Sequence, residues 1–502
     1  MTTILTTESN TNKSWISNRI KEEQITKYLD NGRCFIDTDK IESALTENTA
    51  PEPGRVRDIL QKSLAIETLS LSETACLLNV EDEDLIAEME QAAGEVKRRV
   101  YDNRIVTFAP LYLNSYCVND CLYCGFRTSN KSVKRRMLNH DEIEREVQAL
   151  AGKIGHKRLI VVYGEHPKSD ADYIASTIQT IANVQIKTKR GTGQIRRCNI
   201  NAAPMSIEDL KMLHKIGIGT FQVFQETYHR DTYERLHPQN TIKGNYLWRL
   251  YCMHRAMEAG CDDVGIGVLF GLYDWKYEVM ALLQHAVELE DKFGIGPHTI
   301  SFPRLEPADN TPYTQNPNYP VSDIAFRRLV TAIRLAVPYT GMILTARENA
   351  EMRKQILPLG CTQTDASSKI GIGAYADIDE DQKGDKQQFI LGDIRSLDAV
   401  VRELAEAGYI TSFCTAGYRC GRTGKKIMEL LRTGCEGNFC KLNAIITFRE
   451  WLDDFASEET KLVGEKVIEK EIAEVKEKLP SMYSQLINYY EQTQTGKRDM
   501  YF

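Results

Sequence analysis

From about residue 104 onward, short apolar runs ending in polar residues alternate with longer stretches whose apolar positions recur at helical spacing. This alternation predicts repeated βα units and a parallel sheet. Strands are expected near Ile105–Leu113, Leu159–Tyr163, Cys198–Asn201, Phe221–Phe224, Val264–Leu269, Thr299–Pro303, Met342–Thr345 and Cys361–Thr364. Eight strands of this kind predict an α/β protein with a complete (β/α)8 TIM-type barrel over residues 104–384, its reactive groups gathered where strands end and loops begin. A six-stranded open barrel is the competing count. Residues 1–103 read as an acidic helical segment, in which Ser70 and Glu73 are spaced as a capping box ahead of Ala75, Leu77 and Leu78. Residues 385–502 read as a mainly helical extension. It carries cysteines packed between Cys414 and Cys440, then a charged helix with Val463, Val467, Ile472, Val475 and Leu479 on one stripe before Pro480 stops it.

Composition narrows the class without naming a chemistry. A chain of 502 residues with 42% hydrophobic and 26% charged content has the make-up of an ordinary globular protein. A formal charge of −7 offers no electrostatic footprint for nucleic acid. The opening residues lack the basic and apolar pattern of a secretory signal, and no run reaches the 18 or so apolar residues that span a bilayer, so a cytoplasmic protein with no membrane partner is expected. Thirteen cysteines in such a chain point to metal ligation or buried thiols, not to a disulfide framework.

Cys117, Cys121 and Cys124, directly after the first expected strand, sharpen this. Three thiolates on a cubane of four irons leave one iron without a protein ligand, an open position for chemistry, whereas a structural site supplies all four. The CxxxCxxC spacing, with Tyr123 just before its last cysteine, resembles the radical S-adenosylmethionine (SAM) superfamily. The resemblance implies a [4Fe-4S] cluster whose unique iron is chelated by SAM, a reducing electron-donor protein, and formation of a 5′-deoxyadenosyl radical. Gly164 and Glu165 end the second strand and resemble that superfamily's glycine-glutamate motif; a carboxylate there would accept from the SAM ammonium, and glycine admits a close backbone approach.

Four further runs, at residues 162–167, 201–206, 224–229 and 301–307, resemble the radical SAM aromatic amino-acid lyases, with the similarity running from about residue 60 to the C-terminus. The resemblance is nearest the branch that cleaves tyrosine in [FeFe]-hydrogenase maturation and extends to the branch that serves thiamine thiazole synthesis. It implies L-tyrosine as substrate, cleavage of its Cα–Cβ bond to p-cresol and dehydroglycine (2-iminoacetate), and a downstream partner in maturation or thiazole synthesis. Arg304, at the sixth strand end with Glu306 close by, is the candidate clamp for the substrate carboxylate. Glu226 and His229 are candidates for direct work on the substrate, and Asn201, Gln225 and Arg347 end other strands where they would meet SAM or substrate. His298 precedes the sixth strand and points to the opposite end of the barrel, where the resembled proteins carry a second iron site; it is a candidate iron ligand.

One departure from the branch stands out. Its members have a second cysteine set, spaced by two and then twenty-two residues, holding an auxiliary cluster where dehydroglycine is carried on to carbon monoxide and cyanide. Here Cys414 and Cys440 match the outer positions, but the middle one is Gly417, in an otherwise intact frame. Cys420 and Cys435 lie nearby. Either a second cluster persists on rearranged ligands, or the region is a vestigial cap. Two rival readings of the whole chain are a lyase for another aromatic amino acid such as tryptophan, and an iron–sulfur carrier that never turns over SAM.

Overall fold

The computed structural model describes residues 15–376, 384–433 and 436–502. All eight expected strands are present: β1 (Arg104–Asn114), β2 (Arg158–Tyr163), β3 (Arg197–Asn201), β4 (Phe221–Gln222), β5 (Val264–Gly267), β6 (Thr299–Ser301), β7 (Gly341–Leu344) and β8 (Gln363–Asp365). Each pairs in parallel with its neighbour in sequence, and β8 returns to β1 through Val106–Phe108, so the barrel is closed with eight strands and the six-stranded count falls. β4 and β6 are shorter than expected, and their lines continue only as single bridges, Glu226 with Val268 and Phe270 with Arg304.

The strands alternate, as a barrel requires. Leu159 and Val161 of β2 pack outward into the main core, while Ile160 and Val162 turn inward and join Phe108 and Ile343 in a separate apolar cluster inside the barrel. That cluster matters for the site, because it stands below the groups at the strand C-termini.

Among the helices, α1 (Leu71–Leu78) begins at the expected capping box, with Ser70 Oγ accepting from Glu73 N and Glu73 returning the bond to Ser70 N. α2 (Glu83–Tyr101) leads into β1. α3 (Arg230–Leu236), α4 (Trp275–Phe293) and α5 (Asp323–Ala336) belong to the outer layer, where α2 and α1 pack on α5. The C-terminal region is helical in α6 (Glu436–Asp454), α7 (Glu458–Lys478) and α8 (Pro480–Gln494). Pro480 ends α7 and occupies the first turn of α8, where its missing N–H costs nothing. The same region adds an element that periodicity does not reveal: β9 (Ile410–Ser412) pairs in parallel with the first residues of β1. No helix among the described residues is long and apolar enough to cross a membrane.

Candidate active site

A cavity of about 230 Å³ opens at the C-terminal ends of the strands. Cys117, Cys121 and Cys124 line it together with Tyr123, Gly164, Glu165, Asn201, Glu226 and Arg347, so most of the candidates chosen by strand ends converge on one space. Its floor is the apolar cluster of Phe108, Ile160 and Ile343.

The cysteine loop is stitched to the end of β2. Val118 N donates to Glu165 O at 2.8 Å and Gly164 N to Asn114 O at 3.1 Å. A Cβ at position 164 would lie 2.2 Å from Tyr116 O, so only glycine lets the two segments approach this closely. Asn119, within the cysteine motif, donates its amide to Glu165 Oε2 at 2.5 Å and accepts from Lys243 N at 2.9 Å. The other Glu165 oxygen, Oε1, is buried with no partner among the described residues. Burial pushes the Glu165 carboxyl up. An unpartnered buried acceptor on a residue that lines the cavity calls for a cationic donor, which is what an amino-acid ammonium supplies.

Tyr123 is fixed from behind. His237 Nδ1 lies 2.8 Å from the Tyr233 carbonyl and must donate to it, so Nε2 is the acceptor for the Tyr123 hydroxyl, also at 2.8 Å. Burial holds His237 neutral by driving its pKa far down. Around the loop, Cys121 and Tyr123 pack with Leu236, Leu269 and Leu272, an apolar collar that limits water at the thiols. Burial also pushes the Cys117 thiol up to about 11, so a thiolate here needs a bound cation beside it.

Glu226 lies in the cavity wall with φ 73°, and its Oε1 accepts from Lys243 Nζ at 2.7 Å and Arg249 Nη2 at 3.1 Å. Burial would raise its carboxyl, but the two cations outweigh that and hold it below the ordinary range. Arg347 is different: its guanidinium stacks on the Phe389 ring at 3.3 Å and makes no hydrogen bond to the described residues. It is therefore a half-buried cation with its donors in hand.

Several expectations change. Arg304 does not line the cavity. Its Nε donates to Glu348 Oε1 at 2.9 Å, its Nη2 to the other oxygen of the same carboxylate, and its Nη1 to Asp323 and the Val321 carbonyl, so every edge of the fork is engaged by the protein. Removing it would leave Glu348, only 3% exposed, as a buried unpaired carboxylate. Arg304→Ala is thus expected to cost stability, about 3 kcal/mol in denaturant unfolding, more than it costs substrate affinity. His229 also lies outside the cavity. Its Nδ1 caps α3 by accepting from Thr232 N at 3.3 Å, and its ring stacks on Tyr273 at 3.7 Å. Gln225 is buried but faces away from the cavity, which Phe224 and Glu226 line on either side of it, as strand alternation dictates.

The opposite end of the barrel collects the second group. His298 lies 6.4 Å from the Tyr418 ring, and Arg197 stacks on that same ring while pairing with Asp263 at 2.7 Å. Burial lowers the His298 pKa. Arg158, which opens β2, donates to the Cys414 carbonyl at 3.4 Å, which brings Cys414 to this end. Cys414 and Cys440 both lie within electrostatic range of Tyr101. Gly417 begins a 3₁₀ turn that ends at Cys420, and three residues per turn place positions 417 and 420 on one face. The Cys420 thiol donates to the Phe502 carbonyl at 3.4 Å. Cys435 lies outside the described residues.

Lys243, Arg249, Asn119 and the segment Gln388–Phe389 were not singled out by sequence. Asn119 sits inside the cysteine motif and was legible there, whereas the others follow no strand end and are brought in by folding alone.

Residues 111–285 match the model of the radical SAM superfamily, and residues 301–410 match that of the biotin and thiamin synthesis associated domain. The chain is 30% identical over 360 residues to 2-iminoacetate synthase of Salmonella typhimurium, covering 71% of this chain and 89% of that protein. Among solved structures, a crystal structure of HydG, a maturase of the [FeFe]-hydrogenase, is 45% identical, covers 93% of this chain and 100% of its own, and superposes with a TM-score of 0.88. HydG from Carboxydothermus hydrogenoformans is 34% identical, covers 95% of this chain and 100% of its own, and has a TM-score of 0.73. Radical SAM chemistry brings a [4Fe-4S] cluster and SAM, and the residues present fit both: three cysteines line one cavity, and Glu165, which lines it too, has a buried oxygen without a partner among the described residues. The chain belongs to the radical SAM family, as a lyase of the type formed by HydG and 2-iminoacetate synthase.

Proposed function

We propose that the chain cleaves the Cα–Cβ bond of L-tyrosine to give p-cresol and 2-iminoacetate. The observation that carries this reading is the make-up of the cavity lining, which combines the apolar cluster of Phe108, Ile160 and Ile343 with the cations Arg347, Lys243 and Arg249. An aromatic ring suits the first and an amino-acid carboxylate the second. Glu226 engages both Lys243 and Arg249 and offsets one of their two charges, whereas the Arg347 guanidinium makes no hydrogen bond to the described residues, so Arg347, in place of Arg304, is the cation whose donors are free to clamp a carboxylate. The product assignment is supported by the name 2-iminoacetate synthase carried by the Salmonella typhimurium relative.

A bound, reduced cluster would supply the single electron for reductive cleavage of SAM, the source of radical chemistry at this site. The chain's own residues do the rest by placement. Cys117, Cys121 and Cys124 would hold the cluster, Glu165 would accept from the SAM ammonium, Asn119 keeps that carboxylate oriented, and Tyr123 and Asn201 would contact SAM from the wall. Glu226 acts as the anchor for Lys243 and Arg249, not as a proton acceptor.

At the lower end, Cys414 and Cys440 retain the outer motif positions, and Cys420 stands one 3₁₀ turn from Gly417 on the same face, so a second cluster would rest on rearranged thiols with His298 as a further ligand. Onward formation of carbon monoxide and cyanide is separable from tyrosine cleavage in this reading. Cys440→Ala is accordingly expected to keep p-cresol formation within about twofold, since Cys440 is not among the residues that line the cavity at the mouth; a collapse of p-cresol in that variant at normal iron content of the first site would tie the two ends together.

The deciding assay is anaerobic. The iron-reconstituted chain is incubated with SAM, dithionite and L-tyrosine, and p-cresol and 5′-deoxyadenosine are followed by chromatography. L-Tryptophan is run in parallel. Formation of p-cresol supports the reading, whereas an indole product without p-cresol moves the substrate to tryptophan.

A further inference from the structure

Beyond β8 the chain runs back over the mouth of the barrel, and residues 385–393 join its two sides. On the cysteine side, Lys134 N donates to Asp385 O at 3.1 Å and Gly125 N to Gln388 O at 3.0 Å. Across the mouth, Ile390 N donates to Pro307 O at 2.8 Å, and Gly392 N and Asp393 N donate to Ala346 O at 2.9 and 3.0 Å. The contact at Gly125 leaves no room for a side chain, because a Cβ there would lie 2.7 Å from Gln388 O and 2.9 Å from Gln387 O. This strap is therefore seated on the cysteine loop atom against atom.

Gln388 faces the cavity from the strap. Its Oε1 accepts the Tyr112 hydroxyl at 3.0 Å, and burial keeps that phenol protonated and able to donate. A cysteine sulfur that ligates a cluster carries no proton and can only accept, which assigns the amide nitrogen to the end at Cys124 Sγ, at 3.4 Å, and the oxygen to the Tyr112 hydroxyl. We propose that Gln388 is a positioning residue for the [4Fe-4S] cluster: its amide N–H donates to the Cys124 sulfur and, with Tyr112 fixing its orientation, raises the reduction potential of the cluster. Reduction adds negative charge to a cluster already held by three thiolates, and a hydrogen bond to one of those sulfurs withdraws charge and favours the reduced form. The same strap places Phe389 under the Arg347 guanidinium, so one segment contacts both a cluster ligand and the cation beside the substrate space.

The proposal rests on Cys124 being a cluster ligand, and its test is a redox titration followed by electron paramagnetic resonance. It uses the full reconstituted chain without SAM or substrate, so that turnover plays no part. Gln388→Leu is expected to move the midpoint to more negative potential, with altered g values and a smaller reduced fraction at a fixed potential, while iron and sulfide content match the unsubstituted chain. Tyr112→Phe keeps the strap in place but releases the amide, and is expected to shift the midpoint the same way by less. An unchanged midpoint in Gln388→Leu at unchanged iron content overturns the proposal. If Gln388→Leu loses iron, Tyr112→Phe decides: a negative shift supports the proposal and an unchanged midpoint overturns it. A missing reduced-cluster signal in the unsubstituted chain would strike the cluster assignment itself.

Discussion

The Cys121→Ala chain, reconstituted anaerobically and supplied with SAM and dithionite, is expected to form no 5′-deoxyadenosine above background and therefore no p-cresol. Cys121 is 6% exposed, lines the cavity beside Cys117 and Cys124, and packs in the collar of Tyr123, Leu236, Leu269 and Leu272. A cubane site with three protein thiolates has none in reserve, so losing one leaves two irons open instead of one. The folded chain itself should tolerate the change, because a small apolar residue replaces a small apolar thiol in an apolar collar. Circular dichroism and thermal unfolding close to the unsubstituted chain would show this, and the loss would then belong to the cluster alone. Persistent SAM cleavage in this variant would sink the assignment of the three cysteines.

Arg347→Ala is expected to behave differently, and the contrast is informative. SAM cleavage should continue, since no cluster ligand and no partner of Glu165 is touched, but p-cresol formation should fall by on the order of 10²-fold in kcat/KM. Truncating one member of a desolvated charge pair costs about 3 kcal/mol, which sets that scale. The loss should appear as 5′-deoxyadenosine formed without p-cresol, because a substrate whose carboxylate is not held no longer presents its hydrogen to the radical. Arg347→Lys should recover part of it, as a point charge in place of a planar fork. Equal p-cresol and 5′-deoxyadenosine in Arg347→Ala would return the carboxylate to Lys243 and Arg249, whose two charges Glu226 only half offsets.

The comparison with Arg304 shows how far strand position alone can mislead. Both arginines follow a strand end at the mouth of the barrel, and in sequence Arg304 has the better claim, with its Ser-x-Pro-Arg context. Folding reverses the order. Glu348, the residue after Arg347, turns its carboxylate to Arg304 and fills that fork, while Phe389, brought from beyond β8, gives Arg347 a surface to lie on without consuming its donors. Neither partner is near in sequence to the arginine it governs. His229 and Gln225 lie outside the cavity lining for more local reasons, a helix cap in one case and strand alternation in the other.

What this sequence determines by itself is what depends on neighbours along the chain. Apolar runs of strand length separated by helical periodicity place eight strands, whose closure the pairing of β8 with β1 decides, and three cysteines within eight residues, followed by a glycine and a glutamate after the next strand, mark one wall of the cavity. Strand alternation and loop spacing are short-range properties, so they survive in one dimension. Charge pairing does not. The fate of Glu226 depends on Lys243 and Arg249, the orientation of Glu165 on Asn119, and the contact to Cys124 on Gln388, 264 residues away. A buried polar group takes whichever partner the fold brings within hydrogen-bond reach, and that choice exists only once the barrel has closed and the strap lies across its mouth.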